Sequence, residues 1–121
     1  MSKSNLENSM DKQLKIQTTG RDDSKEDTYH HPYEPTPYSV LERLAESEYI
    51  AGDNILVDYG CGKGRVGFFL NHELDCHVTG VEFDEKIYQQ AIKNISTYSK
   101  SRIEPGIICE RLYKNDRTRM G

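Results

Sequence analysis

Residues 55–70, Ile-Leu-Val-Asp-Tyr-Gly-Cys-Gly-Lys-Gly-Arg-Val-Gly-Phe-Phe-Leu, constrain this chain more than any other stretch. An apolar strand breaks into a glycine loop, and the loop opens an amphipathic helix. Glycines take backbone conformations closed to other residues and let the chain approach a ligand closely. The helix that follows offers unpaired N–H groups and the positive end of its dipole. Such a loop suits a nucleotide-like ligand. A second clue stands at Val81-Glu82-Phe83, where another apolar strand ends in a carboxylate suited to ribose hydroxyls.

A chain of 121 residues suffices for one small domain. Its 20 acidic and 16 basic side chains leave a net charge of −4, which gives no field for holding a polyanion or a membrane surface. A nucleic-acid partner is therefore unsupported by charge without being ruled out. No apolar run reaches the roughly 18 residues that a membrane span needs, and residues 1–20 lack the hydrophobic core of a signal peptide. The expectation is a soluble, cytoplasmic protein. Cysteines at 61, 76 and 109 form no C-x-x-C pair and read as reduced thiols, and His30, His31, His72 and His77 lack metal-ligand spacing. No metal site is expected.

Residues 1–28 are rich in Ser, Asn, Asp, Lys and Gln, with scattered apolar positions at Leu6, Met10, Leu14 and Ile16. A short helix fits that spacing, but so little burial offsets so much ordering entropy that a flexible, disordered polar arm is expected. The domain is placed at residues 29–110. Pro32, Pro35 and Pro37 hold its start extended, and Thr36-Pro37 supplies an N-cap and first helical residue for a helix burying Val40, Leu41, Leu44 and Ala45. The aromatic stretch 29–38 reads either as a lid over a ligand or as packing of Tyr33 and Tyr38 on that helix. Residues 51–53 turn into the strand Ile55–Tyr59. Residues 76–82 form a second strand, and Asp84 caps a helix whose apolar side is Ile87, Tyr88, Ala91, Ile92, Ile95 and Tyr98. Ile107-Ile108-Cys109 suggests a third strand, and residues 111–121 an irregular basic tail. Alternating helices and strands imply right-handed crossovers: an α/β fold, the N-terminal half of a doubly wound, Rossmann-like parallel sheet of about three strands.

The spacing Gly62-x-Gly64-x-x-Gly67, with Glu82 beyond it, also fits a dinucleotide fingerprint. Asp58-Tyr59-Gly60-Cys61, however, intervene between the apolar residues 55–57 and the first glycine of that pattern, where a dinucleotide fold usually runs its apolar strand straight into that glycine. Val57-Asp58-Tyr59-Gly60-Cys61-Gly62-Lys63-Gly64 resembles motif I of the class I S-adenosylmethionine-dependent methyltransferases, V-L-D-x-G-C-G-x-G, and Gly80-Val81-Glu82-Phe83-Asp84 resembles their second motif. The resemblance spans residues 36–110. It implies S-adenosyl-L-methionine as cofactor, with Gly60, Cys61, Gly62 and Gly64 in the loop beside its methionine part and Asp58 ordering that loop. It further implies Glu82 on the ribose and Phe83 on the adenine face, with Glu110 matching the acid that meets the adenine amino group. Phe83 as plain core packing remains the alternative to stacking. No catalytic residue and no acceptor are implied.

Members of that family usually carry about seven strands, and this chain has three. It therefore reads as a truncated methyltransferase whose strand Ile55–Tyr59 is left as an edge open to self-association. Two further readings stay open: an NAD(P)-binding oxidoreductase fragment, and a non-catalytic module that pairs with another chain through the open sheet edge.

Overall fold

The computed structural model describes residues 3–20, 34–99 and 107–111. In chain order these form α1 (Lys3–Leu14), α2 (Tyr38–Glu46), β1 (Ile55–Tyr59), α3 (Arg65–Leu74), β2 (His77–Glu82), α4 (Glu85–Thr97) and β3 (Ile107–Arg111). The three strands are parallel in the order β1-β2-β3. The α/β alternation read from the sequence thus gives the parallel sheet expected of it.

α3 connects β1 to β2 and α4 connects β2 to β3, each stepping the same way across the sheet. Right-handed crossovers then place both helices on one face. The burial pattern agrees. Val78, Gly80 and Glu82 are buried beneath the helices, whereas Ile55, Val57 and Tyr59 on the opposite face are exposed. On the covered side the core consists of Phe68, Phe69 and Leu70 from α3 with Cys76, Val78, Tyr38, Leu41 and Tyr98. Phe68 and Tyr98 pack with ring centroids 4.9 Å apart, and the Tyr98 hydroxyl, with one proton to donate, lies 2.8 Å from Asn71 Oδ1 and 3.1 Å from the Phe68 carbonyl. Each such aromatic contributes about 1.5–3 kcal/mol of burial.

The amino-terminal segment departs from expectation. In place of a disordered arm, residues 3–14 form α1, and Leu14 and Ile16, 0% and 4% exposed, join the core. The anchor is polar. Arg65, 2% exposed at the start of α3, pairs with the Glu7 carboxylate and donates to Thr18 Oγ1 at 2.7 Å, Thr19 Oγ1 at 3.0 Å and the Thr36 carbonyl at 3.0 Å. Its guanidinium lies 4.2 Å over the Tyr38 ring. Asp11 accepts from the Thr18 and Thr19 amides and hydroxyls and from the Tyr38 hydroxyl. Glu7 and Asp11 are one turn apart on α1, so a single helix face delivers both carboxylates. The polar network fixes where α1 docks, and the burial of Leu14 and Ile16 adds apolar stabilisation to it.

Three smaller expectations change. Thr36 does not cap α2. Pro37 precedes it without a side-chain bond, and the Tyr38 amide is met by Glu7 from α1 at 3.2 Å. Val40 and Ile92, expected in the core, are 48% and 36% exposed. Tyr38, Ala91 and Asn94 hold the buried positions of α2 and α4 alongside Leu41. Arg111, which the sequence reading places in the tail, closes β3. The remaining tail, residues 21–28 of the arm and Tyr33 of the aromatic stretch lie outside the described residues.

Candidate functional site

The loop between β1 and α3 is closed by its own backbone. The Gly60 and Cys61 amides both donate to the Val81 carbonyl, at 2.7 and 3.0 Å, carrying the β1–β2 pairing beyond Tyr59. The Gly64 amide closes a turn on the Cys61 carbonyl at 3.0 Å, and Phe68 makes the opening helical bond of α3 to the Gly64 carbonyl. The N–H groups of the first turn of α3 therefore have no partner within the helix. Gly64 is required twice over: its φ is +100°, and a Cβ there would stand 2.6 Å from the Phe68 ring. Further along, a Cβ on Gly67 would meet Val78 at 2.9 Å, so α3 rests directly on β2.

Glu82 stands at the carboxyl end of β2 and is 9% exposed. One of its carboxylate oxygens accepts the Gly62 amide and the other the Asp84 amide, both at 2.8 Å. Each carboxylate oxygen has two acceptor positions. The two amides thus fix the plane of the carboxylate and leave one position on each oxygen. Asp84 in turn caps α4 as expected, accepting from the Ile87 amide at 3.0 Å.

Asp58 is half-buried near the end of β1, in register with Gly80. Burial, and then the negative charge of Glu82, push its carboxyl above the usual carboxylate range. The bonds that close the loop come from the Val81 carbonyl and the Glu82 carboxylate, where the sequence suggested Asp58. Cys61 is half-buried with its thiol 3.6 Å from the Gly62 carbonyl. Phe83 is 40% exposed, which excludes its reading as core packing. Glu110 lies within β3, in register with Val81, rather than beyond the strand.

The structure therefore brings Asp58, residues 60–64, Glu82 and Phe83 to the carboxyl end of the sheet, where open α/β sheets bind ligands. Sequence reasoning gave Asn94 no role in the site. This residue, 4% exposed on α4, donates to the Lys63 carbonyl inside the loop at 3.0 Å and exchanges two hydrogen bonds with the backbone of Gln17. Its sequence signals were a polar residue at a helical spacing of three from Ala91 and the resemblance of Ala91-Ile92-Lys93-Asn94 to the corresponding helix of the methyltransferase family. Among the described residues, no group of three or more His, Cys, Asp or Glu side chains is placed to hold a metal, and no helix is long and apolar enough to cross a membrane.

No family model matches the chain. In sequence it is 36% identical over 69 residues to a protein-lysine N-methyltransferase of Saccharolobus islandicus, a match covering 54% of this chain and 42% of that protein. It is 41% identical over 44 residues to a tRNA1(Val) (adenine(37)-N6)-methyltransferase of Mannheimia succiniciproducens, covering 35% and 18%. In fold it is similar to an RNA methyltransferase from Salinibacter ruber in complex with S-adenosyl-L-homocysteine. There the TM-score is 0.54 at 23% identity, over 67% of this chain and 50% of that one. The chain spans half or less of each of these proteins.

Proposed function

We propose that this chain, which belongs to the S-adenosylmethionine-dependent methyltransferase family through neighbours that it matches over part of their length, binds S-adenosylmethionine at its glycine loop as the cofactor-binding part of a methyltransferase. The observation that carries the reading is the Glu82 carboxylate, oriented by the Gly62 and Asp84 amides with one acceptor position left on each oxygen. That arrangement matches the vicinal diol of a ribose. Residues 60–64 take the methionine part, the first turn of α3 faces its carboxylate, and the exposed Phe83 ring offers a face to adenine. When bound, the cofactor supplies a methyl group already activated on its sulfonium, so the work of the chain is to hold and orient it. The curated relatives act on different acceptors, a protein lysine and a tRNA adenine, and the proposal assigns none.

Calorimetric titration tests this reading, with S-adenosylhomocysteine and NADH as separate ligands. Saturable heat is expected from the former and none from the latter. NADH is the right comparison because Gly67 packs on Val78 as the third glycine of a dinucleotide fingerprint does. Glu82→Gln should weaken binding at least about tenfold, the value of a hydrogen bond to a charged group. Preference for NADH, or affinity unchanged by Glu82→Gln, overturns the assignment.

A second reading rests on a different observation. Ile55, Val57 and Tyr59 are 75%, 53% and 75% exposed on one face of β1, and β1 ends the strand order. Association through this strand, with a second copy or with another chain, is compatible with cofactor binding and is tested separately.

A further inference from the structure

The geometry points to Asn94 as a positioning residue for the glycine loop, one that makes the docked amino-terminal segment part of the cofactor site without touching the cofactor. The inference rests on the reading of that loop as a cofactor site. It begins from the two neighbours of Gly64. On one side the Lys63 carbonyl accepts from Asn94 Nδ2 at 3.0 Å. On the other, Arg65 directs its guanidinium onto Thr18, Thr19 and Glu7 of the amino-terminal segment. Asn94 also holds that same segment: its Oδ1 accepts the Gln17 amide at 2.9 Å and its Nδ2 donates to the Gln17 carbonyl at 3.1 Å. Residues 17–19 and both flanks of Gly64 thus form one hydrogen-bonded unit centred on a side chain that is 4% exposed.

The lever is the planarity of the peptide unit. The Lys63 carbonyl and the Gly64 amide belong to one rigid plane, so fixing the first fixes the direction of the second. The Gly64 amide closes the turn on Cys61, and the Gly62 amide two residues earlier orients Glu82. Releasing Lys63 therefore lets the turn rotate, and with it the amide that aims the Glu82 carboxylate. Held by Asn94, the loop is pre-shaped before ligand arrives, and binding has less ordering to offset. Coupling of this kind is reciprocal. Ligand at the loop must tighten the docking of residues 17–19, and loosening that docking must weaken the ligand.

The experiment compares the full chain with Asn94→Ala and with Asn94→Asp, by amide hydrogen exchange without ligand and by titration with S-adenosylhomocysteine. Asn94→Asp keeps the shape and an acceptor for the Gln17 amide but loses both donated bonds, so it answers the question should Asn94→Ala fail to fold. Without ligand, exchange at the Gly62 and Gly64 amides is expected to rise about tenfold in both variants, the loss of one net hydrogen bond, while the Leu70 and Val78 amides keep their protection. With S-adenosylhomocysteine, affinity should fall by a similar factor, and the ligand should slow exchange at residues 17–19 of the unmodified chain. Loop amides that exchange at the unmodified rate in a folded variant overturn the inference. So does ligand binding that leaves residues 17–19 unaffected. If the unmodified chain binds no S-adenosylhomocysteine, the cofactor reading fails and with it the coupling, while the ligand-free exchange still decides whether Asn94 shapes the loop.

Discussion

At Gly64 a single added methyl group meets two obstacles, a backbone conformation hostile to side chains and the ring of Phe68 at 2.6 Å. At Gly60 it meets one, because φ is +73° but the space around it is open. The two substitutions therefore separate strain from crowding. Gly60→Ala should cost roughly 1 kcal/mol and Gly64→Ala roughly 2–4 kcal/mol in urea unfolding, the difference being the overpacking term. Equal losses would show that Phe68 moves aside at little cost. Asp58 carries an effect of the opposite sign. Burial and the charge of Glu82 hold its carboxyl above the usual value of 3.8, so the folded state binds a proton more tightly than the unfolded one. Its charge then costs stability above the raised value, and the cost disappears as pH falls through that value towards 3.8. Asp58→Asn should accordingly melt higher than the unmodified chain at neutral pH, with the gap closing on acidification. A gap independent of pH would place the effect elsewhere.

Among the elements, α1 shows where reading the sequence stopped short. The glycine loop, Glu82 and the Asp84 cap were legible, because each rests on a local pattern that admits few geometries: a glycine spacing, a strand-end acid, a capping residue before an amphipathic run. α1 has no such signature. Its apolar positions are few, and what docks it is Glu7 and Asp11 meeting an arginine 58 and 54 positions away, counted from 65 − 7 and 65 − 11. A long-range ion pair leaves no period in either segment. The same holds for Asn94, whose partners lie at 17 and 63. The docking of α1 is open to titration. Burial raises the Asp11 carboxyl, but hydrogen bonds from Thr18, Tyr38 and Thr19 outweigh it and hold the group below its usual 3.8. Its contribution is therefore complete above 3.8 and is lost as pH falls through the lowered value. Asp11→Ala should cost about 3 kcal/mol or more at neutral pH, since it strands buried donors and weakens a buried ion pair. The destabilisation should shrink on acidification below 3.8 and be accompanied by faster amide exchange at Ile16, whose partner is the Asp11 carbonyl.

At the scale of the molecule, the decisive fact is that the helices among the described residues lie to one side. α3 and α4 cover one face of the sheet, and α1 and α2 pack against α3 rather than crossing to the other. Parallel sheets are ordinarily covered on both faces, because crossover helices distribute to both sides when strand order reverses about the first strand. Here the order runs β1-β2-β3 without a reversal, so Ile55, Val57 and Tyr59 face outward on a strand that also has a free edge among the described residues. An apolar face and an open ladder on one strand are a strong template for pairing with another chain. The expected outcome is concentration-dependent association of the chain, seen by sedimentation or light scattering. Ile55→Lys with Val57→Lys should reduce it by placing charge on the edge. Both side chains are already exposed, so the substitutions should change unfolding free energy by no more than about 0.5 kcal/mol each. Their distance from Glu82 and the loop amides should also leave S-adenosylhomocysteine affinity unchanged. If association persists with both lysines in place, β1 is not the contact. If affinity falls together with association, the site depends on a neighbouring chain seated against β1, and the cofactor-binding unit is the assembly rather than the single chain.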